Sequence, residues 1–193
     1  MMKSKQSLFL SQKKILKDAG CEDYNESIKL LFSTAFKIPL AQSYKYHTHV
    51  GSNKSSILFM DLVSRRAVGE PISHLVRSRA FWKNDFYIDE TVLDPRPESE
   101  LIIDITKDLL FDGMKVLDLG CGSGCIGISL YKENPKISLF LADFSKKALR
   151  VSKKNAAKLK IECEIIHSNL FANISGKFDL IVTNLPYITK DDF

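Results

Sequence analysis

The spacing of apolar residues changes period along the chain, and the changes divide it. Over 8–19 and again over 26–38, apolar residues recur every three or four positions. The second run, through Ile28, Leu31, Phe32, Ala35 and Phe36, stops before Pro39, and the first stops at Gly20, so two amphipathic helices are predicted. Residues 41–56 are polar and turn-rich and predict no regular element. A further helix is predicted over 55–68 through Ile57, Leu58, Met60, Leu62 and Val63, closed by late cations at Arg65 and Arg66 and by Gly69 and Pro71. Over 79–97 the period shortens to β-like runs about a Lys83-Asn84-Asp85 turn, and Pro97 then opens a helix with Glu98 and Glu100 in its first turn. Beyond Lys115, short apolar runs (115–119, 137–142, 161–167, 178–183) alternate with helical patterns at 124–133 and 145–159. That alternation predicts an α/β fold with a parallel sheet. The expected organisation is a helical domain at 1–75, which offers no paired catalytic groups and is read as a recognition unit, a hairpin linker at 76–98 and an α/β domain at 99–193 holding four strands.

Composition narrows the class. With 193 residues, 45% hydrophobic and 26% charged, the chain suits a soluble globular protein. No apolar run approaches membrane-spanning length and the apolar patch at 8–10 is too short for a signal peptide, so a cytoplasmic protein with no membrane partner is expected. Cys21, Cys121, Cys125 and Cys163 form no C-x-x-C pair, and His47 and His49 are an isolated H-x-H; no metal site is expected. The net charge of +5 gathers at 145–159, where Ala148, Val151, Ser152, Asn155, Ala156 and Leu159 share one helical face and the lysines lie off it. The plain reading is a solvated face. Nucleic-acid binding is the other reading, but the segment has no aromatic residue and a single arginine, Arg150, among its lysines, so interleaving does not support it.

Two motifs carry chemistry. In the first, Val116, Leu117, Asp118 and Leu119 run into Gly120, Cys121, Gly122, Ser123 and Gly124, a strand, turn and helix start in which glycines permit positive φ and let a ligand approach bare backbone. Gly122, Gly124 and Gly127 satisfy G-x-G-x-x-G, and Asp143 follows Gly122 by the spacing of a dinucleotide fold. Asp118, however, sits inside the strand end, where a carboxylate suits an ammonium or amino-acid moiety better than a pyrophosphate; this tilts the reading to S-adenosylmethionine. Asp143, delivered to the end of the second strand, is read as acceptor for ribose hydroxyls, with no structural duty that needs an acid. The second motif, Asn184-Leu185-Pro186-Tyr187, ends the fourth strand. The Asn184 amide and the Leu185 carbonyl can accept from an NH2 group, Pro186 holds Leu185 extended, and Tyr187 offers a stacking face. Each motif alone is also compatible with an ordinary turn.

Together these residues resemble the HemK (PrmC) family of protein-glutamine N5-methyltransferases. The likeness rests on Arg65-Arg66-Ala67-Val68-Gly69-Glu70-Pro71, on 92–100 with its Pro95-Arg96-Pro97-Glu98-Ser99-Glu100 core, on the glycine loop and on 184–187. The resemblance implies a helical N-terminal domain, a hairpin and a class I (Rossmann-like) methyltransferase domain. It also implies that Gly120–Gly124 hold the methionine part of S-adenosylmethionine, that Asp143 holds the ribose, and that Leu170 lies by the adenine. Asn184, Leu185, Pro186 and Tyr187 would bind the substrate glutamine, with Asn184, Pro186 and Tyr187 as the catalytic set. The implied substrate is the glutamine of the Gly-Gly-Gln motif of class I peptide chain release factors.

The chain departs from the family at Leu185, where a proline is usual, at Asp94 (apolar), at Arg77 (glycine) and at Asn169 (aspartate). Asn-Leu-Pro-Tyr also resembles ribosomal RNA adenine dimethyltransferases, which makes adenine-N6 methylation an alternative. A class I sheet has seven strands and only four are legible, leaving about 90 residues at about 30 per unit unaccounted for and the fourth strand as an apolar edge. A truncated, inactive remnant that binds at most cofactor or partner is therefore a second expectation.

Overall fold

The computed structural model describes residues 5–47 and 53–185, and the chain forms two compact units, 1–77 and 78–193. In the first, α1 (Lys5–Asp18), α2 (Tyr24–Phe36), α3 (Asn53–Ala67) and the short α4 (Ile72–Val76) enclose Leu16, Ile28, Leu31, Phe32, Phe59 and Val63. Phe32 meets Phe59 edge-on at 5.3 Å and stacks near Phe36 at 4.4 Å, the offset and edge geometries that aromatic quadrupoles favour. Where no regular element was expected, Leu40–His47 is a 3-10 helix. The Arg-Arg motif closes the unit: Arg65 Nε donates to Glu70 Oε2 at 2.8 Å, and Arg66 donates to Asp23 Oδ1 at 2.7 Å and to the Glu70 carbonyl at 3.1 Å.

The second unit opens with an antiparallel hairpin, β1 (Arg79–Phe81) and β2 (Asn84–Phe86). Its turn is Trp82-Lys83, so the expected Lys83-Asn84-Asp85 turn is corrected. Phe81 and Phe86 are both buried, 6.2 Å apart, and that shared burial fixes a register in which Asn84 and Asp85 pair as strand residues. Trp82 consequently takes φ +53, costly for a bulky residue, and is held by its surroundings. Its backbone N–H donates to Glu100 at 2.8 Å and its indole to Glu133 at 2.6 Å, while Lys83 pairs with Glu133 at 2.8 Å. The segment expected as a linker thus contributes Phe81, Phe86, Ile88 and Val92 to the core of the second unit.

Past a 3-10 turn (Pro97–Ser99) and α5 (Glu100–Thr106), the alternation predicted from the sequence follows: β3 (Lys115–Leu119), α6 (Cys125–Glu133), β4 (Ser138–Asp143), α7 (Lys146–Leu159), β5 (Glu164–His167) and β6 (Leu180–Thr183). The strands form one parallel sheet ordered β5-β4-β3-β6. Its central strands bury Val116, Leu117, Leu141 and Ala142 completely, as expected of parallel strands covered on both faces. Helix α7 buries the predicted face and leaves Lys146, Lys147, Arg150, Lys153, Lys154 and Lys158 exposed. Among the described residues β6 pairs only with β3, and Ile181 is 44% exposed. The chain passes from β5 across the sheet to β6, which puts a topological switch between β3 and β6; crevices at the carboxyl ends of strands around such a switch bind ligands.

Candidate active site

Three adjacent strands deliver their carboxyl ends to this switch. Leu119 is paired with Ala142 and with Thr183, so Gly120, Asp143 and Asn184 emerge side by side. The β3 loop is sewn onto β4: the N–H groups of Gly120 and Cys121 both donate to the Ala142 carbonyl, at 2.8 and 2.9 Å. Gly120, Gly122 and Gly124 all have positive φ, and Gly124 caps α6 in the left-handed region. At Gly122 a Cβ would meet nothing within 4 Å, so that backbone faces open space, the bare approach a cofactor requires.

The two acids behave differently from their sequence reading. Asp118, expected to face a cofactor ammonium, is 2% exposed, and its Oδ2 accepts the Gly127 N–H at 2.9 Å. It anchors the first turn of α6 from beneath the loop, and burial, opposed by that N–H, pushes its pKa up to about 7. Asp143 has structural duties after all. Its Oδ2 accepts from Gly122 N–H at 2.8 Å and its Oδ1 from Ser145 N–H at 2.8 Å, because a strand-end carboxylate satisfies the amides of both flanking turns. Each oxygen keeps lone-pair capacity for hydroxyl donors.

Leu170 has φ +47 and is half-exposed. Its turn is tied to β4 by Ser168, whose N–H donates to the Asp143 carbonyl at 3.1 Å and whose Oγ donates to the Leu170 carbonyl at 2.7 Å. Phe144, which sequence reasoning missed, is 69% exposed beside Asp143, its ring stacked with His167 at 6.2 Å. Its position one residue after the strand-end acid was the available signal. Asn155 was also missed as a site residue: fully buried on α7, it donates from Nδ2 to the carbonyls of Ser123 and Tyr87, both at 2.9 Å, and accepts from Tyr87 N–H at 2.7 Å. An asparagine on an apolar helical face hints at such a tie, but the partners cannot be read from spacing.

Burial pushes the Cys125 thiol up to about 12 and the Cys121 thiol well above its usual value, so both stay protonated within the loop. Among the described residues no group of His, Cys, Asp or Glu could hold a metal ion, and no helix is long and apolar enough to cross a membrane.

On the other side of β3, Asn184 Nδ2 donates to Ser99 Oγ at 2.9 Å, and the Leu185 side chain lies directly over Gly120. A cavity of about 590 Å³ opens here, lined by Leu93, Arg96, Glu98, Ser99, Ile102, Asn184 and Leu185. Arg96, flanked by Pro95 and Pro97, is in this wall with extended backbone, φ −86 and ψ 140. Pro186 and Tyr187 lie outside the described residues.

A parallel sheet of this order, a glycine turn after its central strand and an acid at the end of the next define a class I methyltransferase fold. Residues 96–192 match the methyltransferase small domain family, to which the chain belongs. The HemK (PrmC) resemblance is carried by relatives over most of the chain. The release factor glutamine methyltransferase of Agrobacterium fabrum is 33% identical over 94% of this chain and 66% of its own length, and that of Borreliella burgdorferi is 37% identical over 86% and 57%. The chain thus spans about half to two thirds of the curated relatives it matches. Among solved structures, the T. thermophilus 16S rRNA N2 G1207 methyltransferase, in complex with AdoMet and guanosine, shares the fold. It has a TM-score of 0.52 and 21% identity over 58% of this chain and 33% of that one.

Proposed function

We propose that this chain carries the S-adenosylmethionine site and the amide-binding site of a protein-glutamine N5-methyltransferase whose substrate is the Gly-Gly-Gln glutamine of class I peptide chain release factors. The observation that supports this best is the emergence of the Gly120–Gly124 turn, Asp143 and Asn184 from three neighbouring parallel strands. The residues fit the cofactor: open backbone at Gly122, a strand-end carboxylate at Asp143 for ribose hydroxyls, and exposed apolar Phe144 and Leu170 for a flat base. When bound, the cofactor supplies an electrophilic methyl group on a sulfonium. The chain's part is orientation. A glutamine amide nitrogen is a weak nucleophile because its lone pair is delocalised, so Asn184 Oδ1 and the Leu185 carbonyl, as acceptors, would hold its N–H bonds. They would aim the nitrogen and favour positive charge developing on it. No general base is needed before transfer. The reading rests on orientation at a shared strand end, and the relatives' names agree with it.

The test is calorimetric titration of the chain with S-adenosylmethionine, with Asp143→Asn as control, followed by methyl transfer to a class I release factor and to the same factor with the Gly-Gly-Gln glutamine replaced by alanine. Binding weakened in Asp143→Asn, and transfer only to the native factor, is the expected result. Binding without transfer to the factor, but with transfer to adenine in RNA, would replace the substrate assignment. A folded chain that binds no cofactor would overturn the whole reading.

A further inference from the structure

The Pro-Arg-Pro-Glu-Ser-Glu segment has no part in the function described so far, yet it supplies the partner of the residue on which that function turns. Asn184 is the last residue described before the Leu185 carbonyl, and one pole of its amide is engaged: Nδ2 donates to Ser99 Oγ at 2.9 Å. Ser99 is 8% exposed and sits at the junction of the 3-10 turn and α5. Its own N–H donates to the Arg96 carbonyl at 3.0 Å, so the hydroxyl is carried on a fixed backbone. It caps no helix N–H, and the contact with Asn184 spans 85 positions of sequence. The strand on the other side is equally fixed, since Thr183 Oγ1 donates to the Leu119 carbonyl at 2.8 Å.

We infer that Ser99 is a positioning residue: it locks the Asn184 side chain so that Oδ1 is presented to the cavity that both residues line. An unlocked asparagine side chain rotates about two torsions and can offer either amide pole to a ligand. With one of the two Nδ2 hydrogens given to Ser99 Oγ, the amide is held in one orientation, and Oδ1 is the acceptor it offers to an NH2-bearing ligand. A hydroxyl fills this role where a methyl cannot, and threonine would keep it. The function of the lock rests on the proposed glutamine reading; its existence does not.

The test therefore has two arms. In the full chain, the side-chain amide resonances of Asn184, assigned by nuclear magnetic resonance, should be shifted from the free-amide position and slow to exchange. Ser99→Ala should move them to the free-amide position in a chain that still unfolds cooperatively, and Ser99→Thr should restore them. Unchanged Asn184 resonances in Ser99→Ala would overturn the lock. In the second arm, binding of a Gly-Gly-Gln peptide in the presence of S-adenosyl homocysteine should weaken by up to about tenfold in Ser99→Ala, because the released Asn184 side chain must be ordered on binding, and recover in Ser99→Thr. Equal binding by both variants and the parent chain would overturn the positioning role. Peptide binding by none of them, with the resonance shifts as expected, would refute the glutamine reading and leave the lock standing.

Discussion

Glycines of the same motif are required for opposite reasons, and substitution should separate them. A Cβ at Gly127 would come within 2.7 Å of Leu141 and 2.9 Å of Asp118, so Gly127→Ala is expected to destabilise the fold by about 1–3 kcal/mol through overpacking, read as a lowered urea midpoint. At Gly122 nothing stands in the way; Gly122→Ala should cost about 1–2 kcal/mol from its positive φ alone but abolish measurable cofactor binding, since the added methyl enters the space assigned to the ligand. Equal effects of the two on stability and binding would contradict this division. Asp118 provides a pH signature. Its folded pKa of about 7 lies above its ordinary 3.8, so the folded state holds a proton that the unfolded chain has lost. The resulting stabilisation is full below about 4 and disappears as pH rises to about 7. Denaturation across that window should show stability falling with pH, and Asp118→Asn should flatten the slope; an unchanged slope would refute the assignment.

Helix and turn ends show what the sequence could not announce. Arg77, noted as standing where the family has glycine, is the cap of α4 with φ +54 and ψ +37, a conformation glycine adopts freely and arginine does not. Arg77→Gly is expected to raise stability by about 1 kcal/mol, measurable as a higher melting temperature; a lower one would mean that the arginine side chain makes a compensating contact. The hairpin teaches the converse. Asn84 and Asp85 are turn formers by type, but the paired burial of Phe81 and Phe86 overrides them and puts Trp82 at positive φ, where Glu100 and Glu133 hold it. Local preference loses to burial here because two buried aromatic side chains outweigh the propensity of two polar ones.

Across the molecule, each unit has its own core: the first is built on Phe32, Phe59 and Leu31, the second on the sheet and its helices together with the hairpin. Every residue proposed above to hold the cofactor belongs to the second. Residues 78–193 alone are therefore expected to fold and to bind S-adenosylmethionine with the affinity of the whole chain, checked by calorimetry on both; loss of binding in the shorter piece would show that the first unit contributes to the site. Sequence sufficed for the strand-helix alternation, the glycine turn, the strand-end Asp143 and the buried face of α7, because each is written in residue spacing over a few turns or strands, where periodicity and glycine chemistry act locally. Only the tertiary structure decided that the segment expected as a linker packs into the α/β core, that Asp118 lies buried under the loop and holds the Gly127 N–H, and that Asp143 serves two backbone amides. It also revealed the ties of Asn155 to Ser123 and of Ser99 to Asn184. Those pairings span 32 and 85 positions, and a hydrogen bond between residues so far apart is set by how the sheet and its helices bring them together, which no local period encodes.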